Sequence, residues 1–219
     1  MGRIILQLTA LVLLAASALA RPVALDVSVT DAHGAAIADA VITAAPQSVS
    51  RESEAISQRV PRTHVIDQRN ETFIPYVEVF RPGDSVIFRN SDRTRHHAYS
   101  FSSARQFDFV LGSGEDSPPM VLDKIGTIAV GCNIHDKMIT FFYITDAPWF
   151  ARSEKSGKVQ LDLPAGTYAI RAWHPLLPPG AREDVRIVSI AADSPKEVAF
   201  SLQLMPDPRA SMDRERVGY

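Results

Sequence analysis

Gly126-Thr-Ile-Ala-Val-Gly-Cys132-Asn-Ile-His135-Asp-Lys-Met138-Ile-Thr-Phe-Phe-Tyr-Ile144 decides how the rest of the chain is read. Its first half alternates as a strand does, which puts Ile128, Val130 and Cys132 on one face. A thiol, an imidazole and a thioether follow as Cys-x-x-His-x-x-Met, and the apolar run Ile139–Ile144 resumes as a second strand. Three soft or borderline donors therefore sit on a short loop that backbone fixes at both ends. A thiolate, a neutral imidazole and a weak axial thioether suit copper that cycles between two oxidation states.

Such a centre needs a second imidazole, and the chain carries one upstream. Val86-Ile-Phe-Arg-Asn90-Ser-Asp-Arg-Thr-Arg-His96-His97-Ala-Tyr-Ser-Phe101 reads as a strand, a polar turn, and a histidine pair entering a new strand. A trigonal copper site takes two histidines and one cysteine with a distant methionine. His96, Cys132, His135 and Met138 make up that set.

The region from about His64 to Thr145 resembles a cupredoxin of the plastocyanin–amicyanin type. The resemblance rests on Phe73-Ile-Pro-Tyr-Val-Glu-Val79, Arg81-Pro-Gly-Asp-Ser-Val-Ile-Phe-Arg-Asn90 and the ligand loop, in that order. The two-and-two spacing of the loop is similar to amicyanin's. Arg95-His-His-Ala-Tyr-Ser-Phe101 and Gly131-Cys-Asn-Ile-His-Asp-Lys-Met138 also look like cupredoxins associated with methylamine utilisation. The resemblance implies a Greek-key β-barrel holding one type 1 (blue) copper ion. Its ligands would be His96, Cys132, His135 and Met138, with Met138 as the long axial contact. Two positions depart from the family: Ile134 stands where cupredoxins usually carry proline, and His97 where they usually carry asparagine. The register makes His96 the ligand and His97 an outer-shell or solvent-facing ring, because side chains alternate along a strand. Asn133 is a candidate hydrogen-bond partner for His97. Met120 is a weaker axial candidate, having no spacing relation to Cys132.

Composition supports export. Met1–Ala20 has a basic start at Arg3, an apolar middle and a small-x-small end at Ala18-Leu-Ala20, which reads as a cleavable signal peptide. Gln7, Thr9 and Ser17 interrupt a stretch already short for a membrane anchor. We expect a periplasmic protein with no membrane insertion after cleavage. The formal charge of −2, with no Lys/Arg cluster, gives no reason to expect nucleic acid as a partner. The chain has one cysteine, so no internal disulfide can form. In an oxidising compartment that thiol must be metal-bound or buried and inert. The histidine at plus three and methionine at plus six favour the metal.

The fold expected is all-β, with 15 prolines and 11 glycines between short apolar runs. Leu25–Thr30 and Ile37–Thr43 read as strands around Asp31-Ala-His-Gly34, although the alanine-rich Ala35–Ala45 also admits a helix. Residues 46–62 are polar and bounded by Pro46 and Pro61, and read as a linker or surface excursion. Residues 63–145 form the cupredoxin domain, with strands at Phe73–Val79, Ser85–Arg89, Ala98–Phe101 and Phe107–Leu111 and a polar loop at Gly112–Met120. Within 146–204, Gly157–Trp173 alternates on both sides of Pro164-Ala-Gly166, and Val185–Ile190 and Glu197–Leu204 follow. Leu163-Pro-Ala-Gly-Thr-Tyr168 resembles carboxypeptidase-regulatory-like or transthyretin-like sandwiches, and Val29-Thr-Asp-Ala-His-Gly34 through Val41 resembles their opening. This second small sandwich would then be discontinuous: residues 21–45 would supply its first strands, and the copper domain would be inserted. Residues 205–219 read as a tail. His33, His64 and His174 read as structural or exposed residues.

Four ligands leave a copper ion no open coordination position, which argues for electron transfer rather than catalysis. We expect a non-enzymatic carrier of single electrons between redox proteins of the dehydrogenase or cytochrome c type. The electron would cross the exposed edge of His135, with Asp136 and Lys137 shaping the dock. A copper-binding or delivery protein that does not cycle is the alternative.

Overall fold

The computed structural model describes residues 21–49, 51–57, 59–135, 137–191 and 196–211. The signal segment read at residues 1–20, Asp136 and the tail from residue 212 lie outside the described residues.

The described residues are all-β apart from one short helix and a 3-10 turn at Pro208–Ser211. β1 (Val23–Thr30) buries Val23, Leu25, Val27 and Val29 in the period of two that its sequence shows. In the turn after it the Asp31 carboxylate accepts the backbone N–H groups of His33 and Ala35, both at 2.8 Å. β2 (Val41–Pro46) begins later than the alternation implies, because Asp39 takes a left-handed φ of 61° and interrupts the extended run. The helical option for Ala35–Ala45 is not adopted. α1 (Arg51–Ser57) lies within the polar stretch that follows. Among the described residues no helix is long and apolar enough to cross a membrane.

Nine strands follow: β3 (Thr63–Gln68), β4 (Phe73–Ile74), β5 (Val77–Phe80), β6 (Asp84–Asn90), β7 (His96–Ser100), β8 (Phe107–Leu111), β9 (Met120–Leu122), β10 (Gly126–Cys132) and β11 (Ile139–Ile144). They form two sheets, β4-β3-β6-β9 and β5-β11-β10-β7-β8. One sheet contributes Ile66, Val86, Phe88 and Leu122 to the shared core, the other Ala98, Ile128, Val130 and Phe142. Phe88 stacks on Phe142 with ring centroids 5.9 Å apart, joining the layers at the centre. The Phe73–Val79 strand is broken in two at Pro75, which has no N–H to give a ladder. Met120, at the end of the polar loop, opens a short strand paired to Val86 and is buried in this core.

β12 (Trp149–Arg152), β13 (Lys158–Leu163), β14 (Gly166–Trp173), β15 (Val185–Ile190) and β16 (Lys196–Ser201) complete the chain. β1 lies between β13, antiparallel, and β16, parallel. β2 lies between β12 and β14, with β15 at the edge. Strands from both ends of the sequence thus share sheets, and their common core holds Leu25, Val27, Ile42, Leu161, Ile170 and Phe200. The Pro164-Ala165 corner does not close a hairpin: it carries the chain from the β13 sheet to the β14 sheet. A third cluster joins the two halves, packing Val41 and Trp173 against Tyr76, Val77, Phe141 and Tyr143. Tyr143 and Trp173 meet there with ring centroids 4.8 Å apart.

Candidate metal centre

Strand alternation aims the donors. β7 turns His96, Ala98 and Ser100 inward and His97 and Tyr99 outward. β10 turns Ile128, Val130 and Cys132 inward, and Cys132 lies opposite Ala98 in the ladder. The loop between β10 and β11 is closed by two backbone hydrogen bonds of 3.1 Å: Cys132 N–H donates to Met138 O, and Met138 N–H donates to His135 O. That turn folds His135 back over the thiol.

His96 Nδ1 is 4.0 Å and His135 Nδ1 3.9 Å from Cys132 Sγ. All three donor atoms lie within 4.8 Å of one another. His96 is fully buried, whereas the His135 side chain is 24 % exposed. Met138 is buried in the same core cluster as Cys132, its main chain closing the loop. Among the described residues this is the one group of three or more His, Cys, Asp or Glu side chains spaced to hold a metal ion.

The donor set fits copper. Ligands about 2.1 and 2.3 Å from a common ion stand about 3.8 Å apart at a trigonal angle and about 3.6 Å at a tetrahedral one. The observed separations of 3.9 and 4.0 Å are of the size that two ligands of one ion show. Two imidazoles and a thiolate are a donor set that suits copper.

The far side of each imidazole meets a carboxylate. His96 Nε2 is 2.8 Å from Asp92 Oδ2, and His135 Nε2 is 3.8 Å from Glu71 Oε1. Asp92 also accepts the backbone N–H groups of Asn70 (2.6 Å) and Glu71 (2.9 Å), two residues at left-handed φ of 52° and 54°. Burial pushes the Asp92 carboxyl up, but the Glu71 and Asn70 amides and the His96 ring outweigh it and hold it below the usual carboxylate range. Buried Asn90 braces the turn: its Nδ2 reaches Thr94 O and Gly112 O at 2.8 and 2.9 Å, and its Oδ1 accepts Asp92 N–H.

The other histidines stand apart from the thiol. His97 pairs with Asp108 through Nε2 at 2.7 Å, so its partner is that carboxylate rather than Asn133. His64 bonds Glu78 at 2.7 Å, and buried Asp84, which also takes Arg59, lies 3.5 Å from its other nitrogen. His33 is exposed in its turn. His174 is buried and accepts Leu176 N–H at Nδ1. Asp92 and Glu71 escape the sequence reading because both look like ordinary turn residues. The one available signal is a carboxylate four residues before His96.

No family model and no curated protein matches the chain. Among solved structures, the copper-containing nitrite reductase of Thermus scotoductus aligns at 25 % identity and TM-score 0.34, over 40 % of this chain and 23 % of its own. A purple cupredoxin from Nitrosopumilus maritimus aligns at 16 % identity and TM-score 0.33, over 38 % of this chain and 99 % of its own. Amicyanin from Paracoccus versutus aligns at 11 % identity and TM-score 0.35, over 47 % of this chain and 98 % of its own.

Proposed function

We propose that this chain is a type 1 copper protein that passes single electrons between redox partners. The observation that carries the reading is the convergence of Cys132 Sγ with His96 Nδ1 at 4.0 Å and His135 Nδ1 at 3.9 Å, two of the three residues buried and His135 reaching the surface. Bound there, copper would supply a one-electron couple. Cys132 would be the thiolate, His96 and His135 the equatorial imidazoles, and Met138 the weak axial donor. The β7, β10 and β11 ladders hold these donors from both sides, so one arrangement can serve both oxidation states with little movement.

His135 is the way in and out. Its ring reaches the surface next to the exposed loop residue Ile134, whereas His96 is sealed. A partner of the dehydrogenase or cytochrome c type would dock over that edge, near Lys137. Export to the periplasm follows from the reading of residues 1–20, and a lone thiol in that compartment is protected when copper occupies it. Four donors leave no position for a substrate, so the reading is a carrier and not an enzyme.

The test is the visible and EPR spectrum of the protein after copper(II) addition. The expected result is an intense thiolate-to-copper charge-transfer band with narrow copper hyperfine splitting. Weak absorption with ordinary splitting would mean that Cys132 does not bind Cu(II), and would replace electron transfer by copper carriage.

A further inference from the structure

Three nitrogens converge on the Asp92 carboxylate. Asn70 N–H takes Oδ1, while Glu71 N–H and His96 Nε2 share Oδ2. An ionised carboxylate offers acceptors only, whereas an asparagine amide would turn its own N–H toward one of those donors. The position therefore asks for a charge and not merely for a polar side chain. It also spends backbone energy: the left-handed region is unfavourable for a residue other than glycine, and two such residues in a row present their amides to Asp92. Asn90 Oδ1 and Ser113 Oγ hold the main chain of Asp92 at 3.0 and 2.6 Å, so the carboxylate has little freedom to leave.

We infer that Asp92 is a positioning residue for the copper centre: by accepting Nε2–H it fixes the His96 tautomer with the Nδ1 lone pair toward Cys132, and its charge favours Cu(II) over Cu(I). This rests on the copper reading above. With His96 buried and the Asp92 side chain 14 % exposed, little water screens the pair. A carboxylate behind a ligand histidine raises the basicity of the nitrogen facing the metal, and a more basic nitrogen stabilises the higher oxidation state.

Two measurements test it, one of them without metal. In the metal-free protein, the proton–nitrogen NMR spectrum should show His96 protonated at Nε2 only. A proton on Nδ1 would overturn the inference, whatever any variant does. In the copper-loaded protein, Asp92→Asn should weaken Cu(II) binding about tenfold more than Cu(I) binding, within the range of lost outer-shell partners. That is a rise in reduction potential of about 59 mV for a one-electron couple. Asp108→Asn, which removes the carboxylate behind His97, should leave the potential unchanged. Equal potentials for Asp92→Asn and the unaltered protein would overturn the inference. An unaltered protein that takes up no copper would instead fail the copper reading, and this inference with it.

Discussion

Two buried imidazoles, one in each half of the architecture, use their nitrogens differently. His174, 4 % exposed at the end of β14, accepts Leu176 N–H at Nδ1, so its lone pair is satisfied by its own turn. His96, equally buried, satisfies only Nε2, through Asp92. Its Nδ1 faces the Cys132 sulfur at 4.0 Å. One ring spends its lone pair within its own turn, and the other turns its second nitrogen toward Cys132, where His135 also converges. Burial alone does not mark a site, but burial with a convergent, unspent donor does.

The largest effect that would break this contrast is at the thiol. Cys132→Ser should abolish the copper charge-transfer band while far-UV circular dichroism stays unchanged, since Cys132 is one small member of a large core. Next comes the histidine pair. His96→Ala should lose the blue centre and His97→Ala keep it, and visible titration with copper distinguishes them. The reverse result would mean that β7 sits one residue out of register.

The outer sandwich is tested through stability rather than colour. Gly157 takes φ +71°, and a Cβ there would run into Val29 O, an atom of β1's own backbone. Gly157→Ala should therefore cost about 3 kcal/mol by denaturant titration. His174 gives the sharpest sign. Burial, with a smaller push from Arg209, lowers it from 6.5 to about 4, against the opposing pull of Asp39, the Ala38 carbonyl and Asp207. As pH falls the unfolded chain takes up that proton first. The contribution is therefore full above about pH 6.5 and is lost progressively toward pH 4, by at most about 3 kcal/mol. His174→Gln should flatten that part of the pH–stability curve. A slope that survives the substitution would show that the acid sensitivity lies elsewhere.

What the sequence made legible was what repeats at short range. The alternation before Cys132 and after Met138 reads directly as β10 and β11, because inward and outward positions differ in polarity at every step. The choice between His96 and His97 follows from the same alternation. Contacts between distant turns were not legible. Asp92 matters only because residues 70 and 71, some twenty positions earlier, turn their amides toward it. β9 was hidden by its three-residue length after two prolines, too short for a period to appear. The strands on either side of Pro164 were plain, yet the sheet each joins depends on β1 and β2, more than a hundred residues away.

That last pairing has a consequence for how the protein is made. Leu25 ends up opposite Leu161 on one side and Lys196 on the other. At ribosomal rates of about 5–20 residues per second, β1 waits roughly 10–30 s for its last neighbour. Throughout that interval Val23, Leu25, Val27 and Val29 form an apolar strand with two open edges, the kind of template that recruits other chains. The nine strands of the middle segment pair only among themselves, so they can close while the ends are still waiting. The order of synthesis therefore favours assembly of the layers that carry His96, Cys132 and His135 first, and a chaperone that shields the first two strands would have the most to protect.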